Sequence, residues 1–190
     1  LMTYTDEGLN KLKTIAAYKN DNSLKSNTIK TLEIYKKVGE EYAPKVIDFY
    51  MFNTKFEETK TFEGFDLKRY SLKIRHAIND LMTAKFIKEK NHVIIMGPVG
   101  TGKTHLSQAL GMLACQRNKK VKFIRSNELL NEFYRSRADF TYDAIFKRYT
   151  KVDLLILDDF GLKTLSAEQS SDLYDLIAAV HINASLIITT

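Results

Sequence analysis

A chain of 190 residues, 44% hydrophobic and 27% charged, suffices for one core of ordinary size with at most a small second domain. Its single cysteine, Cys115, excludes a disulfide framework and a four-thiolate zinc site, and no stretch approaches the roughly 20 apolar residues of a membrane helix. The net charge of +6 is uneven: residues 91–150 hold 10 Lys/Arg against 4 Asp/Glu, and residues 151–190 hold 2 against 6. A polyanion, either nucleotide or nucleic acid, therefore finds its best field in the middle of the chain, although a solvated basic surface has the same composition. The thiol-poor composition and the lack of a signal-like start point to a reducing cytosol.

In chain order, residues 1–60 read as a small helical N-terminal segment for interaction or packing. Ile29, Leu32 and Tyr35 recur at helical spacing, and Gly39 and Pro44 punctuate before an apolar stretch from Val46 to Phe52. Thr61–Leu67 reads as a linker into a second domain, residues 61–190. Phe62 and Phe65 within it suit either core plugs or an adenine pocket, with core favoured. Ser71 to Lys90 predicts a helix with an apolar stripe through Leu72, Ile74, Ile78, Leu81 and Phe86.

Val93 to Met96 then reads as a buried strand. Directly after it, Gly97-Pro98-Val99-Gly100-Thr101-Gly102-Lys103-Thr104 fits G-x-x-x-x-G-K-[ST], the loop that cradles nucleoside triphosphates. The glycines let backbone N–H groups turn inward on phosphate oxygens. Lys103 brings a point charge to the β- and γ-phosphates, Thr104 offers a hydroxyl to Mg²⁺, and the following helix adds its N-terminal dipole. That helix spans residues 103–117, with Leu106, Leu110 and Leu113 on one face. Cys115 reads as a buried hydrophobe and His105 as a packing residue.

Val121 to Arg125 is the second strand, and Ser126 is a candidate N-cap for the first of two short helices between residues 126 and 149. Arg135, Arg137, Lys147 and Arg148 are interleaved there with Phe133, Tyr134, Phe140, Tyr142 and Tyr149. Such a pattern suits phosphate contact with base stacking, or equally an amphipathic pair with its aromatics inward. Val152 to Leu157 is an apolar run ending in Asp158-Asp159, which places acids where open α/β sheets bind ligands. Asp158 is assigned to Mg²⁺ through water and Asp159 to polarising the attacking water; the alternative for Asp159 is a turn at Gly161. Ser166, Glu168 and Gln169 form a capping pattern before a helix through Leu173, Ile177 and Val180, and Leu186 to Thr190 is a fourth strand. Strands at 92–96, 121–125, 153–157 and 185–190 alternating with helices predict a three-layer α/β parallel sheet.

Gly-Pro-Val-Gly-Thr-Gly-Lys-Thr-His-Leu at 97–106, Arg-Ser-Arg-Ala-Asp at 135–139, Asp-Leu-Leu-Ile-Leu-Asp-Asp-Phe-Gly at 153–161 and Phe-Glu-Gly-Phe-Asp at 62–66 resemble the IstB-like family. These are ATP-binding helper proteins of bacterial insertion sequences, kin of the DnaC-like replicative helicase loaders. The resemblance covers residues 60–190. It implies a P-loop NTPase of AAA+ type, ATP and Mg²⁺ as cofactors, and ATP hydrolysis stimulated by double-stranded DNA. It also implies homo-oligomers wrapped on DNA and recruitment of a transposase. It favours Arg135, Arg137, Lys147 and Arg148 as DNA contacts, and it puts Asp159 where most AAA+ proteins use Glu. No arginine follows Arg148, so the expected neighbour-facing arginine, the last strand and the helical lid are missing from this sequence, and weak hydrolysis by the segment alone is expected. A replicative helicase loader shares the ATP site and differs in its partner. Two other classes carry the same loop: a small-molecule kinase, disfavoured by the arginine-free residues 149–190, and a non-catalytic nucleotide-dependent interaction module.

Overall fold

A computed structural model describes residues 65–190, residues 60–63, Phe56, and Ile29, Lys30 and Glu33. The helical reading of residues 1–60 otherwise lies outside the described residues. The sheet, its helices and the sites between them all belong to the unit Tyr50–Thr190.

Four strands form one parallel sheet: β1 (Val93–Ile95), β2 (Val121–Arg125), β3 (Leu154–Asp158) and β4 (Ser185–Thr189), in the order β1-β4-β3-β2. Among the described residues six α-helices accompany them: α1 (Leu72–Met82), α2 (Lys85–Lys88), α3 (Lys103–Gln116), α4 (Ser126–Ala138), α5 (Tyr142–Thr150) and α6 (Ala167–Asn183). The predicted three-layer arrangement holds because strand side chains alternate between two apolar layers. Leu154 and Ile156 of β3 join Ile78, Phe86, Leu106 and Leu110 on the α1–α2–α3 side. Leu155 and Leu157 join Leu129, Phe133, Tyr149, Leu173 and Leu176 on the α4–α5–α6 side. All five residues of β3 are buried, as befits a strand covered on both faces.

The predicted helix over 71–90 is two helices. Ala84 takes the left-handed conformation (φ 55°) and divides α1 from α2. Of the predicted stripe, Ile78 is buried, while Leu72 and Ile74 are exposed. Ser71 caps α1 through its side chain, and Ser166 and Gln169 form the predicted capping box on α6. Ser126 is not an N-cap: it is the first residue of α4, and its hydroxyl donates to the Asp158 carbonyl oxygen at 3.1 Å. Cys115 is fully buried. Phe62 and Phe65 pack against the α1–α3 core, the favoured reading.

One close approach fixes how α3 lies on the sheet. A Cβ at Gly111 would fall 2.7 Å from the Phe56 ring and 2.8 Å from Ile156 Cδ1. Phe56 also packs on Phe123, with ring centroids 5.9 Å apart. Gly111→Ala therefore overpacks a buried contact at a cost of about 1–3 kcal/mol, only partly offset by the ~1 kcal/mol better helix propensity of Ala. Urea unfolding should show a lower midpoint at constant slope; an unchanged midpoint would mean that Phe56 does not seat on α3.

Candidate nucleotide site

Chain order and strand order disagree between β1 and β4. After β1 the chain skips two places to reach β2, then returns strand by strand to β4. Connections therefore leave to opposite faces on either side of this gap, and a crevice opens at the C-terminal ends of the strands. The loop 97–102, the end of β3 and the end of β4 all reach it.

Gly100 (φ 79°) and Gly102 (φ 86°) take left-handed conformations that a side chain would strain, and Gly102 is the N-cap of α3. The 14-residue α3 thus starts with its free N–H groups facing the crevice. Lys103 Nζ donates to the carbonyl oxygens of Gly97 (2.8 Å) and Pro98 (2.9 Å), folding the loop around its ammonium group. Thr101 Oγ1 donates to Pro98 O at 2.8 Å. Gly97, Pro98, Val99, Gly100, Gly102, Lys103, Thr104, Asp159 and Thr190 line a cleft of about 530 Å³.

Asp158 is buried behind Thr104, 0% exposed. The Thr104 hydroxyl lies 3.1 and 3.0 Å from its two oxygens, and Thr189 Oγ1 donates to Oδ1 at 2.5 Å. A hydroxyl beside a carboxylate is a hard-oxygen pair of the kind Mg²⁺ takes when phosphates and water complete its shell. The residues fit that ion. Asp159 is left-handed (φ 55°), which Asp tolerates better than most residues. Its N–H donates to Thr189 Oγ1 at 3.1 Å, and its half-exposed carboxylate lies 3.8 Å from Arg125 Nε.

On the other side of the loop, Tyr70, Ile74, Ile78, Ile95, Met96 and Leu106 line an apolar cleft of about 220 Å³. Tyr70 closes it and donates its phenolic O–H to Thr101 O at 2.7 Å. Phe65 stacks on Tyr70, with centroids 5.7 Å apart and planes at 14°. His105 Nε2 donates to Thr61 O at 2.9 Å, so its packing role is to tie α3 to the linker.

The four cations assigned to DNA divide into two pairs. Arg135 and Lys147 are exposed, as is Arg148, but Arg148 is also held by an acid. Arg137 instead holds Asp172 with both terminal nitrogens, one at 2.9 Å, lies 3.4 Å from Glu168 and sits 4.5 Å over the Tyr142 ring. Tyr142 donates to Asp172 at 3.0 Å, and burial together with that carboxylate pushes its phenol up to about 12. Arg148 pairs with Glu132 and lies over the Tyr149 ring at 5.2 Å. Burial first, then the bond to Glu132, raises the Tyr149 phenol. Phe133, Tyr142, Phe146 and Tyr149 face the core, while Tyr134 and Phe140 are exposed.

A family model described as IstB-like ATP binding protein matches residues 19–190. The chain belongs to this family. A relative from Mycobacterium tuberculosis, whose name describes an ATP-binding protein in an insertion sequence, is 35% identical over 136 residues, 72% of this chain and 54% of the relative. The AMPPCP-bound DnaA of Aquifex aeolicus shares the fold, with a TM-score of 0.62 at 23% identity over 69% of this chain and 41% of its own. A DnaC helicase loader does so with a TM-score of 0.57 at 23% identity, over 62% and 68%. The chain spans about half the length of the curated insertion-sequence relatives it matches. The fold is that of AAA+ P-loop proteins.

Three site residues escaped sequence reading. Arg125 and Thr189 are separated from the acids by tens of residues. Only the parallel register, Arg125 opposite Asp158 and Ile188 opposite Leu157, brings them there. Tyr70 carried no motif. Among the cations, Arg137→Ala should destabilise the fold by about 1–3 kcal/mol, less than a fully buried pair because its side chain is 36% exposed against 5% for Asp172. Arg135→Ala should stay within about 0.5 kcal/mol of the parent. Denaturant melts of both variants check this, and equal losses would contradict the distinction.

Proposed function

We propose that this chain is the nucleotide-binding part of a DNA-dependent ATPase that assists a transposase in moving an insertion sequence. The observation that carries the reading is Thr104 bonded to buried Asp158, with Asp159 beside it at the mouth of the phosphate-loop cleft. The insertion-sequence relatives favour a transposase over a replicative helicase as partner. We take residues 1–60 as the interaction segment, residues 61–190 as the ATPase domain, and the cytoplasm as the compartment.

In this reading the triphosphate enters the larger cleft and its adenine enters the apolar cleft beside Tyr70. Lys103 exchanges its carbonyl partners for β- and γ-phosphate oxygens, and the N-terminal N–H groups of α3 face the same charge. Bound Mg²⁺, held by Thr104 and by Asp158 through water, would supply charge neutralisation on the phosphates. Asp159 orients the attacking water for in-line displacement of the γ-phosphoryl group. Arg125 draws the Asp159 carboxylate toward β2, so hydrolysis requires that contact to loosen. Arg135 and Lys147 are the first candidates for DNA phosphates. Arg137 and Arg148 would have to give up Asp172 and Glu132 to reach them. The protein assembles as an ATP-dependent homo-oligomer on DNA.

Phosphate release by the full-length protein should rise on adding double-stranded DNA; a flat response sinks the DNA-dependent reading. Lys103→Ala should abolish nucleotide binding, whereas Asp159→Asn should bind nucleotide and fail to turn it over. In a separate filter-binding assay, Arg135→Ala with Lys147→Ala should weaken DNA binding and lower the salt slope by about one for each lost phosphate contact, with nucleotide affinity kept. An unchanged slope would move the DNA contact elsewhere.

A further inference from the structure

Thr189 is the last residue of β4 and is 0% exposed. Packing alone does not require a threonine there, since valine fills the same volume and suits a strand equally well. What threonine adds is a hydroxyl with one proton and two lone pairs. Both of its polar neighbours are of fixed kind: an ionised carboxylate only accepts, and a backbone N–H only donates. The Thr189 proton therefore goes to Asp158 Oδ1 at 2.5 Å, and a lone pair takes the Asp159 N–H at 3.1 Å. The Thr189 carbonyl oxygen accepts from Phe160 N at 2.8 Å. One residue thus touches both acids and the residue after them.

These bonds constrain the site in two ways. Asp158 Oδ1 takes the Thr189 proton, which fixes the carboxylate plane beside the Thr104 hydroxyl. The turn that places Asp159 in the left-handed conformation, at φ 55°, hangs from β4 by two hydrogen bonds. The nearest alternative holder of Asp159, Arg125, pulls from the opposite side and at a longer 3.8 Å.

We propose that Thr189 is a positioning residue whose hydroxyl sets the orientation of Asp158 toward the Mg²⁺–nucleotide complex and the direction of Asp159 toward the attacking water. The proposal rests on the ATPase reading above. Groups that orient a metal-side carboxylate are worth about 10- to 100-fold in metal affinity or activity.

The test uses full-length protein and a fluorescent ATP analogue titrated with and without Mg²⁺, alongside phosphate release at saturating ATP. Thr189→Val should bind the analogue without Mg²⁺ within about twofold of the parent, since the phosphate loop is untouched. It should lose about tenfold of the tightening that Mg²⁺ brings, and kcat should fall by about tenfold or more with KM little changed. Thr189→Ser, which keeps the hydroxyl, should recover both to within about threefold. Should valine at this buried position give no folded protein, Thr189→Cys keeps the volume with only a weak donor and carries the same expectation. Full Mg²⁺ tightening in the valine or cysteine variant overturns the proposal, as does a serine variant no better than valine at equal melting temperature. If the parent protein hydrolyses nothing, the ATPase reading fails while the Mg²⁺ titration still decides the role of Thr189.

Discussion

A carboxylate with no contact to solvent is the constraint on which the rest of the structure turns. Burying an ionised Asp158 without partners would cost several kcal/mol, so the fold must deliver donors to it. They come from two elements far apart in sequence: Thr104 from the first turn of α3 and Thr189 from the tip of β4. A third element, α4, is tied to the same residue by Ser126 through the Asp158 carbonyl. Thr189 reaches Asp158 because β4 lies beside β3 in parallel register. In the strand order β1-β4-β3-β2, the buried acid thus finds its partners on both α3 and β4.

The same order gives the crevice two unlike halves. Toward β3 and β4 it is lined by the phosphate loop, Lys103, Thr104 and Asp159; toward α1 it is apolar and lined by Tyr70. A nucleotide has the same division between its charged phosphates and its flat base. The linker takes part directly. Tyr70 holds Thr101 within the loop, Thr61 holds His105 one residue past Thr104, and Phe65 lies between these contacts, stacked on Tyr70 and tilted against His105. The phosphate loop and the first turn of α3 are thus both bonded to residues of the linker.

Sequence reading recovered what periodicity and local motif encode. The four strands lie within a residue or two of their predicted bounds, because long apolar runs between turn residues have few other uses. The phosphate loop was legible because all its parts are adjacent in the chain. Arg125 and Thr189 were not, since a lone arginine or threonine at a strand end has no signature until register places it beside Asp158 or Asp159. The cations of α4 and α5 show the opposite limit. Four looked alike in sequence, yet Asp172 and Glu132, 35 and 16 residues from their partners Arg137 and Arg148, take up two of them. Composition counts charge, and only packing shows which charge is already neutralised.

Those ion pairs also join the two ends of the molecule's chemistry. Helix α4 starts at Ser126, bonded to Asp158, directly after Arg125, which faces Asp159. It ends near Arg137, whose guanidinium grips Asp172 on α6. Helix α6 begins at the Ser166 capping box, at the end of the turn that leaves Asp159. The path from Asp159 through α6 to Arg137, back along α4 to Arg125 and so to Asp159 closes on itself. Exposed Arg135 lies on that ring, close beside the Arg137 clamp. Since the Arg125–Asp159 contact is long and half exposed whereas the Arg137–Asp172 pair is short and bidentate, the Arg125 end is the weaker. Asp159 is thus held at the weaker joint of a ring that also carries Arg135.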